Sequence, residues 1–125
     1  MEAVSDSQRR QAHVLAGAFV EALDLRDPVA LQRDWAMPPA LAGEICDMVD
    51  SYFTPRQRLS LAPLAQAFLP GKGGRPSVDV YATDAGSLGM ECQLLADGQP
   101  GEAILHLEMS GHEGAWRLTY KYIGS

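Results

Sequence analysis

Apolar and polar positions alternate most regularly between Ser77 and Ile123, and the alternation predicts four β-strands: Ser77–Thr83, Gly89–Ala96, Glu102–Met109 and Ala115–Ile123. Every second side chain of a strand shares a face. One face therefore carries Val78, Val80 and Ala82; Met90, Cys92 and Leu94; Ala103, Leu105, Leu107 and Met109; and Trp116, Leu118, Tyr120 and Tyr122. This face is expected to pack on helices. The opposite face carries Asp79 and Tyr81; Glu91, Gln93 and Leu95; Ile104, His106 and Glu108; and Arg117, Thr119, Lys121 and Ile123. The turns Asp84–Ser87, Asp97–Gly101 and Ser110–Gly114 hold residues that accept positive φ, which predicts a meander with the strands in sequence order.

Before residue 70 the period changes from two to three and four. Val14, Leu15, Ala18, Phe19, Ala22 and Leu23 predict an amphipathic helix from about Ser7 to Leu25, capped by Ser5 or Ser7, with His13 exposed near its start. Asp27-Pro28 pairs a favoured N-cap with a first-turn proline, so a second helix runs to about Trp35. Met37-Pro38-Pro39 ends it and restarts the chain as a third helix to about Tyr52, with Leu41, Ile45, Met48, Val49 and Tyr52 as its apolar stripe. Glu44, Asp47 and Asp50 form the opposite, solvated face. Thr54-Pro55-Arg56-Gln57 has the form of a capping box and predicts a short helix through Leu59; Pro63 opens a further turn, and the helical part (residues 5–69) ends near Leu69.

Pro70-Gly71-Lys72-Gly73-Gly74-Arg75-Pro76 reads as a mobile, basic connector (residues 70–76). It is not a phosphate-binding loop, which follows a strand, opens a helix and ends in Gly-Lys-Ser/Thr. The chain is thus expected to be one α+β domain, residues 1–125, with N-terminal helices packed on one face of a four-stranded antiparallel meander sheet spanning residues 77–123.

Composition agrees with a folded domain: 125 residues, 46% apolar and 21% charged, with no low-complexity tract. Charge changes the picture more. Residues 1–76 hold 8 Lys/Arg against 9 Asp/Glu, whereas residues 77–125 hold 2 against 7, so the sheet half carries −5 of the net −6. That balance excludes nucleic acid and anionic membranes as partners, since phosphate contacts require clustered cations. It admits a basic protein partner. No apolar run approaches the ~20 residues that cross a bilayer, and the N-terminus lacks a secretory pattern, so a cytoplasmic location is expected. Cys46 and Cys92 are expected as buried free thiols.

Candidate chemistry is sparse. His106, Glu108 and His112 suggest a metal but lack a fourth ligand, and Glu44, Asp47 and Asp50 could hold a hard cation but lack the glycine-containing loop of a calcium site; no metal or cofactor is expected. No G-x-S-x-G occurs, and neither cysteine has a companion histidine in a motif. Asp47, Asp50, Tyr120 and Tyr122 are the groups available to line an acid–base pocket, but the inner sheet face offers only tyrosine hydroxyls. No catalytic residue is assigned.

The layout of helices, connector and meander resembles the cystatin-like or nuclear-transport-factor-like α+β superfold, and Phe19–Leu31 looks like that superfamily's first two helices. The resemblance implies either a binding module or a small isomerase or hydrolase. Their carboxylates on the sheet interior have no counterpart here. The segments Val78-Asp79-Val80-Tyr81 and Trp116-Arg117-Leu118-Thr119-Tyr120 also resemble small bacterial immunity proteins found beside secreted toxins. That resemblance implies a non-enzymatic domain that captures a basic toxin domain through an acidic sheet surface, with Asp79, Tyr81, Glu91, Gln93, His106 and Glu108 as contacts. The alternatives are a pocket-containing small-molecule binder or isomerase/hydrolase-like enzyme of the same superfold, and a homodimer through the outer sheet face.

Overall fold

Local signals at the N-terminus set the first helices. The structure, a computed structural model, describes residues 4–112 and 114–125, with the backbone alone at residue 72. Helix α1 (Asp6–Asp24) opens with a reciprocal capping box: the Ser5 hydroxyl accepts the Gln8 N–H at 3.1 Å, and the Gln8 carboxamide oxygen accepts the Ser5 N–H at 2.8 Å. Asp27 caps α2 (Pro28–Trp35) by accepting the N–H groups of Val29 and Ala30 at 3.0 and 3.2 Å. α3 (Pro39–Tyr52) buries Ala42, Ile45 and Val49, and Glu44, Asp47 and Asp50 face solvent as expected.

The apolar line of α1 is rotated from the predicted one. Ala12, Ala16, Phe19 and Leu23 are buried, while Val14 is 69% exposed. Ala12 and Ala16 are fully buried, so small side chains line the contact face of α1. His13 is not exposed either: its Nε2 lies 2.8 Å from the Ala62 carbonyl oxygen, tying α1 to the segment before α4 (Leu64–Ala67).

The predicted helix after Thr54 is a turn. Gln57 donates its backbone N–H to the Thr54 carbonyl at 3.1 Å, and its side-chain oxygen accepts the Thr54 N–H at 2.9 Å. The chain then becomes a two-residue strand, β1 (Leu59–Ser60), antiparallel to β3 (Leu88–Ala96) through Leu59↔Ala96 and Ser60↔Leu95. Tertiary partners override the local helix signal. Asp24 accepts the Leu59 N–H at 2.7 Å and the Arg58 Nε–H at 2.9 Å, which holds the segment extended against α1.

The remaining strands are β2 (Val78–Ala82), β4 (Gln99–Ser110) and β5 (Arg117–Gly124). The fold is α+β, and the sheet has five antiparallel strands rather than four. β1 and β2 pair with successive stretches of one edge of β3, followed by β4 and β5. The turn between β4 and β5 follows the expected meander, although its Glu113 lies outside the described residues, as do Met1–Ala3.

Two irregularities in the sheet redistribute side chains between its faces. Between β4 and β5 the pairs His106↔Tyr122 and Leu107↔Tyr120 leave Lys121 as an extra residue. A β-bulge of this kind reverses the alternation beyond it. Tyr122 is therefore outside and Ile123 buried inside, the reverse of the alternation reading. A second irregularity between Gln93 and Leu95 leaves Leu94 and Leu95 both buried. Ala82, predicted inside, is exposed where β2 ends.

The space between helices and sheet is filled by one apolar cluster that includes Phe19, Leu23, Leu31, Ile45, Met90, Leu105 and Leu107. Trp35 packs edge-to-face on Phe19 at 5.2 Å, and Tyr120 stacks on its other side at 6.0 Å. Among the described residues, Ser87 is the only buried polar one, satisfied by the Thr83 hydroxyl at 2.7 Å. Among the same residues no helix is long and apolar enough to cross a membrane.

Candidate functional site

Sheet register brings the six predicted contact residues onto the outer face. A row crosses four strands as Asp79↔Glu91↔His106↔Tyr122. A neighbouring row runs Tyr81↔Gly89↔Glu108↔Thr119, and Gln93 stands opposite Ile104. Directly opposed residues of antiparallel strands have Cβ atoms ~5 Å apart, so the first row is a line of neighbouring side chains, and in the second the Tyr81 ring covers Gly89. Gly89 is required in its row, because a Cβ there would run into the Tyr81 ring that lies across it.

An open groove of about 540 Å³ follows the first row, lined by Asp79, Glu91, Gln93, Ile104, His106 and Tyr122 with Arg75 at its rim. Four of the six predicted residues line it; Tyr81 and Glu108 stand in the next row, outside it. Arg75, Ile104 and Tyr122 are among the additions. Arg75 belongs to the segment read as a mobile connector, but that segment is a closed loop: Pro70 and Pro76 pair across its neck, and the Gly71 N–H donates to the Arg75 carbonyl at 2.9 Å. Gly73 and Gly74, at φ 81° and 83°, supply the left-handed backbone that the loop needs. The side chain of Lys72 lies outside the described residues. Tyr122 reaches the groove only because of the Lys121 bulge.

Charges on this face are nearly balanced, which corrects the expectation that it holds the excess of the sheet half. Glu91 receives Arg75 at 2.6 Å through Oε2 and faces His106 Nδ1 at 3.8 Å through Oε1. Glu108 faces Lys121 at 3.9 Å. Asp79 has no ion-pair partner among the described residues, although it stands directly opposite Glu91. Like charges so opposed repel, and Arg75 answers only the carboxylate of Glu91. Much of the remaining negative charge lies at or beside the turns, on Asp84, Asp97 and Glu102. Asp97 is used there, accepting the Arg58 N–H at 2.9 Å.

Burial pushes the Tyr81 phenol above its ordinary pKa, and the charge of Glu91 adds to the effect, with smaller contributions from Tyr122, Asp79 and Glu108. Gln93 is committed, donating to the Gly101 carbonyl at 3.1 Å. The groove therefore presents carboxylates, an imidazole and an exposed aromatic face, a set suited to ion pairing, hydrogen bonding and stacking.

Other candidate groupings are not assembled. Among the described residues no three His, Cys, Asp or Glu side chains converge as a metal site requires, so His106, Glu108 and His112 do not form one. Asp47 and Asp50 lie on the solvent side of α3, Tyr120 is packed on Phe19 and Tyr122 is on the outer face, so no common pocket joins them. Both cysteines are free, Cys92 buried and Cys46 half-buried. Comparison with models of protein families, with curated proteins and with solved structures finds no match.

Proposed function

We propose that this chain is a non-enzymatic protein-binding domain whose outer sheet face receives a basic segment of a partner, and that it acts as an immunity protein neutralising a toxin. One observation carries the reading: Asp79 stands opposite Glu91 as a repelling like charge with no ion-pair partner among the described residues, Arg75 being taken by Glu91, in a groove that His106 and Tyr122 also line. A cationic side chain entering beside Asp79 relieves that repulsion, so binding and local stability favour the same ligand. The filled apolar interior between helices and sheet supports this reading over a pocket enzyme, which needs a polar cavity at that place.

The test is co-expression with the product of the gene adjacent to its own. Protection of the host from that product, lost on Asp79→Lys together with Glu91→Lys while the melting temperature holds, is the expected result. Protection undiminished by the charge reversals removes this face from the function. A homodimer through the same face is the second reading, favoured by the exposure of Tyr81 and Tyr122 at 41% and 56%. A monomeric mass at micromolar concentration eliminates it.

A further inference from the structure

We infer that Arg75 is a built-in competitor for the groove, occupying Glu91 in the free protein where an arginine side chain of the partner binds in the complex. This deepens the reading above and rests on it. Three observations lead there.

First, the contact is made by the tip alone. Arg75 donates to Glu91 at 2.6 Å although its side chain is 75% exposed, whereas Glu91 is 28% exposed. An ion pair held this way contributes little and is readily exchanged. Second, the loop that carries Arg75 is closed at its neck by the Pro70–Pro76 pairing, so the guanidinium can leave Glu91 by side-chain rotation without unfolding the loop. Third, the groove beyond Glu91 matches a guanidinium better than an ammonium. Asp79 stands opposite Glu91, and Tyr122 presents an aromatic ring stacked on His106. A planar fork of N–H donors can bridge two opposed carboxylates or stack on that ring; a compact ammonium ion does neither as well.

Displacement of Arg75 leaves both carboxylates to the incoming group. The internal arginine thus shields Glu91 until a better-placed cation arrives, and it discriminates against weakly basic ligands that cannot replace it.

The experiment is fluorescence anisotropy with a labelled Gly-Arg-Gly-Arg-Gly-Arg peptide and its lysine counterpart, at low ionic strength, on the full chain. Arg75→Gln is expected to bind the arginine peptide about two- to fivefold more tightly than the native protein, the exchange value of an exposed ion pair. The gain should vanish in Arg75→Gln/Glu91→Gln and be smaller for the lysine peptide. Arg117→Gln, which removes the same charge from β5, should give no such gain. Equal tightening by Arg117→Gln reduces the effect to general charge and overturns the competitor role. Unchanged or weaker binding by Arg75→Gln, with native binding still dependent on Asp79 and Glu91, overturns it and leaves the binding face standing. Absence of binding to native protein and Arg75→Gln alike, or binding indifferent to Asp79→Asn and Glu91→Gln, overturns both.

Discussion

The imidazole of His106 lies flat against the ring of Tyr122, with centroids 4.0 Å apart and planes 14° apart. The stack exists because Lys121 is an extra residue in β5, which turns Tyr122 outward to face His106 across the strand pair. Replacing Tyr122 with alanine should move the His106 ring protons downfield in the NMR spectrum as the ring current is lost. The loss of the pair should cost about 0.5–1.5 kcal/mol, the range for aromatic pairs, measured by urea denaturation. Deleting Lys121 removes the bulge but leaves Tyr120, Tyr122 and Ile123 opposite Leu107, His106 and Leu105 in regular register, so the His106 ring protons should keep their upfield shift.

Tyr81 and Gly89 form a second cross-strand relationship with a sharper consequence. An alanine at position 89 collides with the far end of the Tyr81 ring, and Tyr81, 41% exposed, can swing away. Gly89→Ala should therefore destabilise by about 1 kcal/mol, the low end of overpacking costs, because the partly exposed ring can give way. Adding Tyr81→Ala should recover most of that loss. A double-mutant cycle with strictly additive effects would contradict the contact.

Asp24 joins α1 to β1 and provides the pH dependence. Burial alone raises its pKa, but the hydrogen bonds from Arg58 and the Leu59 N–H, with the charges of Arg58 and Arg26, outweigh burial and hold the carboxyl below its ordinary value. The folded protein thus binds this proton less readily than the unfolded chain. The contribution is complete above the unfolded pKa of about 4 and is lost as pH falls through the lower native value. Asp24→Ala should cost about 1–3 kcal/mol at pH 7, chiefly by leaving the Leu59 N–H unpaired. The stability difference between the two proteins should narrow as pH falls below about 4, as the charge-dependent part with Arg58 and Arg26 is lost.

The two thiols should differ in reactivity. Burial, with a smaller contribution from Glu91, pushes Cys92 up to about 12. Cys46 is raised by burial and then by Asp50 and Asp47, but it is only half-buried on α3. Iodoacetamide at pH 8 should label Cys46 first, and Cys92 only as fast as the protein unfolds. Mass spectrometry of the timed digest reads both rates, and equal labelling would contradict the burial of Cys92.

What the residues determine on their own is what neighbours in the chain can decide. Ser5 with Gln8, and Asp27 with the N–H groups of Val29 and Ala30, cap helices through hydrogen bonds spanning three residues or fewer. The alternation of β2, β3 and β4 places Asp79, Tyr81, Glu91, Gln93, His106 and Glu108 on one face, because a period of two is a property of the extended backbone itself. The tertiary structure decided everything that depends on a partner remote in sequence. Pairing with β3 and the carboxylate of Asp24 converted Leu59–Ser60 from a predicted helix end into a strand. Registration of β5 against β4 accommodated Lys121 as a bulge and so exchanged the faces of Tyr122 and Ile123. Closure of the loop at Pro70 and Pro76 delivered Arg75 to Glu91, 16 residues away. The binding face was legible as a set of residues; the groove was not, since its rim and part of its floor come from contacts that no local pattern encodes.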